Sequence, residues 1–209
     1  MSVDVGAVIA WMRQYAAVIA DQKGALTELD SAIGDADHGT NMDRGMQAVV
    51  AKLDGAPPAD VGAALKTVGM TLISTVGGSG GPLYGSFFMQ AGNALAGETE
   101  LTPQELVRAL EAGVAGVMKI GKSTTGEKTM LDTLVPAVDA LRAAVDGGAS
   151  LGDALAAACE AGQSGMEATI PMLATKGRAS YLGERSIGHQ DPGATSSNLL
   201  LRTLAESLG

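Results

Sequence analysis

With 209 residues the chain has room for one well-buried core and little for a second, so a single domain spanning 1–209 is expected. Hydrophobic residues make up 46% and aromatics only 3%, while 29 glycines are twice the usual share of about 7%, which calls for a core of small side chains and closely packed helices. A formal net charge of -9 excludes the basic footprint that nucleic-acid binding needs, so any bound phosphate must be reached locally.

A first helical stripe runs through Val5, Val8, Met12, Tyr15 and Ile19, and a second through Met42, Met46, Val49 and Leu53 before Gly55 and Pro57-Pro58 break it. Val61, Leu65, Val68, Leu72 and Val76 form a third. Pro82 is placed to begin a helix through Leu83, Tyr84, Phe87 and Met89. Thr102-Pro103-Gln104-Glu105 is a capping box with proline at the first helical position, ahead of Leu106, Leu110, Val114 and Val117. Leu134, Val138, Leu141 and Val145 follow, ended by Gly147-Gly148; Ser150 with Asp153 is a weaker start signal. The last stripe is Leu200, Leu204 and Leu208, and no segment alternates as a strand, so the fold class is all-α. The apolar run 61–76 is broken by Lys66 and too short to span a bilayer, and no basic region precedes Val8 and Ile9. With Cys159 as the lone cysteine, in an Ala-rich stretch that suits a buried small side chain, a cytoplasmic protein with no membrane partner is expected.

Function should sit in four loops, 30–41, 75–82, 121–129 and 176–193, the last improbably long for an idle connection. Asp30, Asp35 and Asp37 fall within eight positions with no Lys or Arg among them, and a bound cation is the simplest relief for their repulsion. Carboxylate oxygens suit magnesium. A calcium loop counted from Asp35 fails, with Thr40 where Gly and Met46 where Glu are needed. The bland alternative is a solvated, helix-capping aspartate turn. Against it stands the sequel, because His38-Gly39-Thr40-Asn41 leads into the Met42 helix, whose free N–H groups favour an anion. His38 would either donate to a phosphate oxygen or cap that helix. Gly77-Gly78-Ser79-Gly80-Gly81 forms either a second anion cradle or a plain turn. Arg178 and Arg185 in the late loop suit phosphate charge or a surface salt bridge, and His189 and Asp191 lie beside them.

Residues 116–123, GVMKIGKS, match a P-loop letter for letter. That motif must leave a strand and open a helix; here its first half extends the Leu106–Val117 stripe, and 123–126 continues as loop. The match is therefore set aside.

Four motifs in order, Ile33-Gly34-Asp35-Ala36-Asp37-His38-Gly39 with Asn41, then 75–85, then Glu127-Lys128-Thr129-Met130-Leu131-Asp132, then 176–194, resemble the nucleotide-binding L subunit of dihydroxyacetone kinase. This unit is also found as the C-terminal domain of single-chain dihydroxyacetone kinases. The resemblance implies a closed barrel of about eight amphipathic antiparallel helices with the nucleotide site at one end. It implies that Asp30, Asp35 and Asp37 hold two magnesium ions. His38, Gly39, Thr40, Asn41, Ser79, Gly80, Gly121, Met130, Arg178, Asp191, Pro192 and Gly193 would surround ADP or ATP, with Gly121 and Met130 toward adenine and Arg178 in the catalytic role. The family often has a hydroxyl residue where Gly80 stands, leaving Ser79 and backbone amides to bind phosphate there.

The resemblance also implies partners. One subunit holds dihydroxyacetone covalently on a histidine, and a phosphohistidine-carrying phosphotransferase-system subunit recharges the bound nucleotide. Two alternatives stand beside this: an ATP-using kinase subunit for another small hydroxyketone or sugar acid, and a nucleotide-dependent regulator that contacts a transcription factor.

Overall fold

The computed structural model describes residues 3–209. Eight α-helices carry the fold: α1 (Val5–Ile33), α2 (His38–Gly55), α3 (Val61–Thr75), α4 (Gly80–Ala94), α5 (Pro103–Gly121), α6 (Leu131–Asp146), α7 (Leu151–Ala168) and α8 (Pro192–Leu208). A 3-10 segment, Arg178–Ser186, is broken at Gly183. The only strand pairing among the described residues is the two-residue antiparallel contact of β1 (Val3–Asp4) with β2 (Glu100–Leu101).

Each helix packs on the next, and α8 returns to α1, so the neighbour contacts close into a ring. Helix order alternates in direction: α1 and α5 bring their C-terminal ends to one cleft, whereas α2, α4, α6 and α8 bring their N-terminal ends. The stripes read from the sequence face the interior. Val61, Val68 and Leu72 of α3, Met42, Met46 and Val49 of α2, and Leu134 of α6 are fully buried. Each such side chain contributes about 1.5–3 kcal/mol of burial. One core cluster draws on all eight helices.

The glycine excess is explained where α3 meets α4. A Cβ on Gly69 would stand 2.8 Å from the Gly85 carbonyl oxygen, and one on Gly92 would stand 2.6 Å from that of Gly62. Two backbones this close leave no space for a side chain.

Two boundaries and the burial of one side chain differ from the sequence reading. Helix α1 continues past Ile19 to Ile33, so Asp30 sits on its last turn, and the true turn is only 34–37. Helix α4 starts at Gly80, two residues before Pro82, since a proline is tolerated anywhere in a first turn that lacks N–H acceptors. Cys159 is half-buried, its thiol 3.6 Å from the Leu201 carbonyl, rather than fully enclosed.

Candidate functional site

A cleft of about 360 Å³ opens at one end of the ring. On its floor, one carboxylate oxygen from each of Asp30, Asp35 and Asp37 lies within 4.8 Å of the others. The local chain builds this cluster. Asp30 Oδ2 accepts from the backbone N–H of Asp37 at 2.8 Å and of His38 at 3.1 Å, folding the turn back over the end of α1. Ala36, between the other two aspartates, takes a left-handed conformation with φ 61°, a strained choice for a residue with a Cβ. An all-oxygen, acidic donor set of this compactness fits magnesium.

The N-terminal ends of α2, α4 and α8 meet at the same cleft. The residues before α2 and α4, Asp37 and Ser79, make no side-chain cap; Asp30 takes the His38 N–H of α2, and the remaining first-turn N–H groups of the two helices are left for an anion. Before α8, Asp191 does cap, accepting from Ala194 N at 2.7 Å. Burial raises the Asp191 carboxyl to about 7 from 3.8; Asp132 and Asp30 push the same way, while the Ala194 N–H bond and Lys128 oppose.

His38 lines the cleft and turns its Nε2 inward, 2.9 Å from Ser196 Oγ. Ser196 Oγ also meets the Tyr84 hydroxyl at 2.7 Å, and that hydroxyl meets Ser197 Oγ at 3.0 Å. Burial lowers the His38 pKa, against the opposing charges of Asp30 and Asp37. Of the two roles the sequence left open for His38, a phosphate donor or a helix cap, the ring makes no cap, its Nε2 being engaged with Ser196.

Arg178 comes from the 3-10 segment, and its Nη2 lies 2.8 Å from Asp35 Oδ2. Both side chains are partly exposed. An exposed pair of this kind contributes only about 0–1 kcal/mol, so the contact matters for placing a guanidinium beside the carboxylates rather than for holding the fold.

The cleft thus brings together Asp30, Asp35, Asp37, His38, Asn41, Ser79, Gly80, Gly121, Met130, Arg178, Asp191, Pro192 and Gly193. Gly39 and Thr40 do not line it. Gly39 is pressed against α1, where a Cβ would stand 2.6 Å from Thr27 Oγ1, and Thr40 points to solvent on the outer face of α2. Sequence reasoning missed Lys128, a cleft residue only 1% exposed. Its neighbours in the EKTMLD motif were the available signal. The fold agrees with setting the P-loop match aside: 116–121 belong to α5, Gly116 packs on Ser86 and Gln90 of α4, and Lys122 is the left-handed residue that ends the helix. Lys122 is not among the lining residues.

The family model for the DAK2 domain matches residues 32–206. The chain belongs to the DAK2 domain family. It is 46% identical over 205 residues to the PEP-dependent dihydroxyacetone kinase, ADP-binding subunit DhaL, of Escherichia coli, covering 98% of each chain. It is 33% identical to the L-erythrulose 1-kinase of Mycolicibacterium smegmatis, covering 96% of this chain and 35% of that one. Among solved structures, the dihydroxyacetone kinase from C. freundii in complex with AMP-PNP and Mg2+ superposes with a TM-score of 0.73 at 28% identity, over 96% of this chain. The present chain spans 33% of that longer kinase. Members of the DAK2 domain family therefore occur both as separate subunits and as parts of longer kinases. No helix among the described residues is long and apolar enough to cross a membrane.

Proposed function

We propose that this chain is the nucleotide-holding subunit of a dihydroxyacetone kinase, a single cytoplasmic domain in which ADP stays bound as a coenzyme. The observation that carries this reading is the gathering of the Asp30, Asp35 and Asp37 carboxylates within 4.8 Å at a cleft floored by helix N-termini. The ADP-binding name of the E. coli relative supports the nucleotide, and the AMP-PNP and Mg2+ complex of the C. freundii kinase supports the metal.

Asp30, Asp35 and Asp37 would hold two magnesium ions, which when bound supply the positive charge that lets a polyphosphate approach three carboxylates. The chain's own groups do the rest. The remaining first-turn N–H groups of α2 and α4 and the Ser79 hydroxyl hold phosphate oxygens. Gly121 and Met130 flank the adenine. Arg178, already beside Asp35, places its guanidinium where charge grows on the transferring phosphoryl group. When held there, ADP would supply the terminal oxygen that receives a phosphoryl group from a phosphohistidine of a phosphotransferase-system subunit, the P–N bond breaking as the new P–O bond forms. A hydroxyl of dihydroxyacetone on a partner subunit then takes that phosphoryl group, its proton passes to solvent or a partner base, and ADP remains.

The L-erythrulose 1-kinase relative favours a second reading, in which the same domain spends free ATP on a small hydroxyketone. Label tracing separates the two. With the acceptor subunit present, radiolabelled phosphate should reach dihydroxyacetone from the phosphohistidine carrier in a single pass through a sub-stoichiometric nucleotide pool. Transfer that needs a stoichiometric supply of ATP and ignores the carrier would overturn the coenzyme reading.

A further inference from the structure

Lys128 has no role in the transfer just described, yet it is less exposed than any other charged side chain among the described residues, at 1%. Its ammonium donates to the backbone carbonyls of Thr169 at 2.6 Å, Met172 at 3.3 Å and Ile170 at 3.4 Å, and to that of His189. Four acceptors surround three protons, and no carboxylate pairs with it. The residue itself sits in the left-handed region at φ 61°. Asp132 fixes the turn that presents it, accepting from Gly126 N at 2.5 Å and Thr129 N at 2.7 Å.

The carbonyls come from two segments, 169–172 and 189, that contribute nothing to the main apolar core. They are joined to each other by polar links, Gly188 N to the Ile170 carbonyl at 2.8 Å and Asp191 N to Thr169 Oγ1 at 3.1 Å. Both segments lie outside the helices, with Ile170, Pro171 and His189 exposed, and of the carbonyls they turn toward Lys128 those of Thr169 and Ile170 also accept from Met172 N and Gly188 N, so the ammonium is the one group that ties all four together. Met130 follows Lys128 by two residues, and Asp191, Pro192 and Gly193 follow His189 directly, all of them cleft residues.

We infer that Lys128 is a positioning residue for the nucleotide: it clamps the 169–172 turn and the His189 carbonyl to the 126–130 turn, so that the wall formed by Met130 and Asp191–Gly193 is set before the nucleotide arrives. This rests on the nucleotide reading of the cleft. A wall already ordered costs the ligand no ordering entropy, and its loss shows as weaker binding.

Lys128→Met keeps the length of the side chain and removes its charge and donors. By calorimetry its dissociation constant for Mg-ADP is expected to rise at least about tenfold. By hydrogen exchange on nucleotide-free protein, 169–175 and 187–193 should exchange faster than in wild type while α1 and α3–α5 do not change; saturating Mg-ADP should restore slow exchange. Unchanged affinity, or faster exchange spread over the whole chain, would overturn the proposal. Two measurements serve if that variant does not fold. Thr169→Val keeps the Thr169 carbonyl on Lys128 but cuts the link to Asp191 N, along with the hydroxyl's own bond to the Met166 carbonyl, and should weaken Mg-ADP about threefold. The Lys128 Nζ protons of nucleotide-free wild-type protein should exchange slowly enough to be seen by NMR, and rapid exchange there contradicts the clamp. Localised exchange in Lys128→Met, combined with no affinity of the wild type for Mg-ADP, would sink the nucleotide reading and leave the clamp standing.

Discussion

The two ends of the helical ring solve the same problem in opposite ways. At the far end, α1, α3, α5 and α7 start under their own side chains: Asp4 caps Ala7 N, Asp60 caps Ala63 N, Thr102 forms a full capping box with Glu105, and Ser150 caps Asp153 N. At the cleft end, the residues just before α2, α4 and α6 make no side-chain cap, the His38 and Leu131 N–H groups being taken instead by Asp30 and Thr129, and α8 is capped by Asp191. Orphan N–H groups are a cost in a structural turn and an asset beside an anion. A helix end left uncapped next to three gathered carboxylates therefore marks the working end, and the conventional caps mark the supporting one.

The contrast breaks most sharply at the carboxylates. Asp35→Asn or Asp37→Asn is expected to abolish nucleotide retention through gel filtration, because each removes a metal-binding oxygen and leaves phosphate facing the remaining acids. Unchanged nucleotide content in both variants would return the cluster to a solvated turn. Next in size, Arg178→Ala should slow phosphoryl transfer by at least about tenfold, or about 1.4 kcal/mol of barrier, while Lys122→Ala stays close to wild type. The reverse ranking in a transfer assay would revive the P-loop match.

A pH effect sharpens the same comparison. Asp191 binds its proton more tightly in the folded chain, at about 7, than at its ordinary 3.8, so its contribution to stability is full below that lower value and is lost as pH rises toward 7. Between those limits, denaturant melts of nucleotide-free protein should lose more stability with rising pH in wild type than in Asp191→Asn. Equal slopes would show that Asp191 is ionised throughout. The smallest change belongs to the far end: Thr102→Ala should lower stability by about 1 kcal/mol in the same melts and leave nucleotide content untouched.

How much of this was legible follows from range. The stripes Val61–Val76 and Leu106–Val117 point inward because helical periodicity is a local property, and the Thr102 capping box is readable for the same reason. The aspartate cluster was legible too, since Asp30, Asp35 and Asp37 are close in the chain. The Arg178 contact with Asp35 was not, because it joins residues far apart in sequence. Lys128 was hidden more thoroughly: a lysine reads as solvated, and the carbonyls that make its burial tolerable belong to 169–189. Gly39 shows the limit in another way, since a glycine beside a ligand and a glycine packed on α1 look alike in sequence, and only the fold shows that Thr27 and the Lys23 carbonyl leave no space for a side chain there.

The most direct measurement is the nucleotide content and exchange rate of protein purified without added nucleotide. Near-stoichiometric ADP is expected, exchanging slowly with labelled ADP in magnesium and released by a chelator, because removing the ions restores repulsion between Asp30, Asp35, Asp37 and the phosphates. Protein that emerges empty and exchanges ATP rapidly, with or without chelator, would contradict a coenzyme held by metal at this carboxylate cluster.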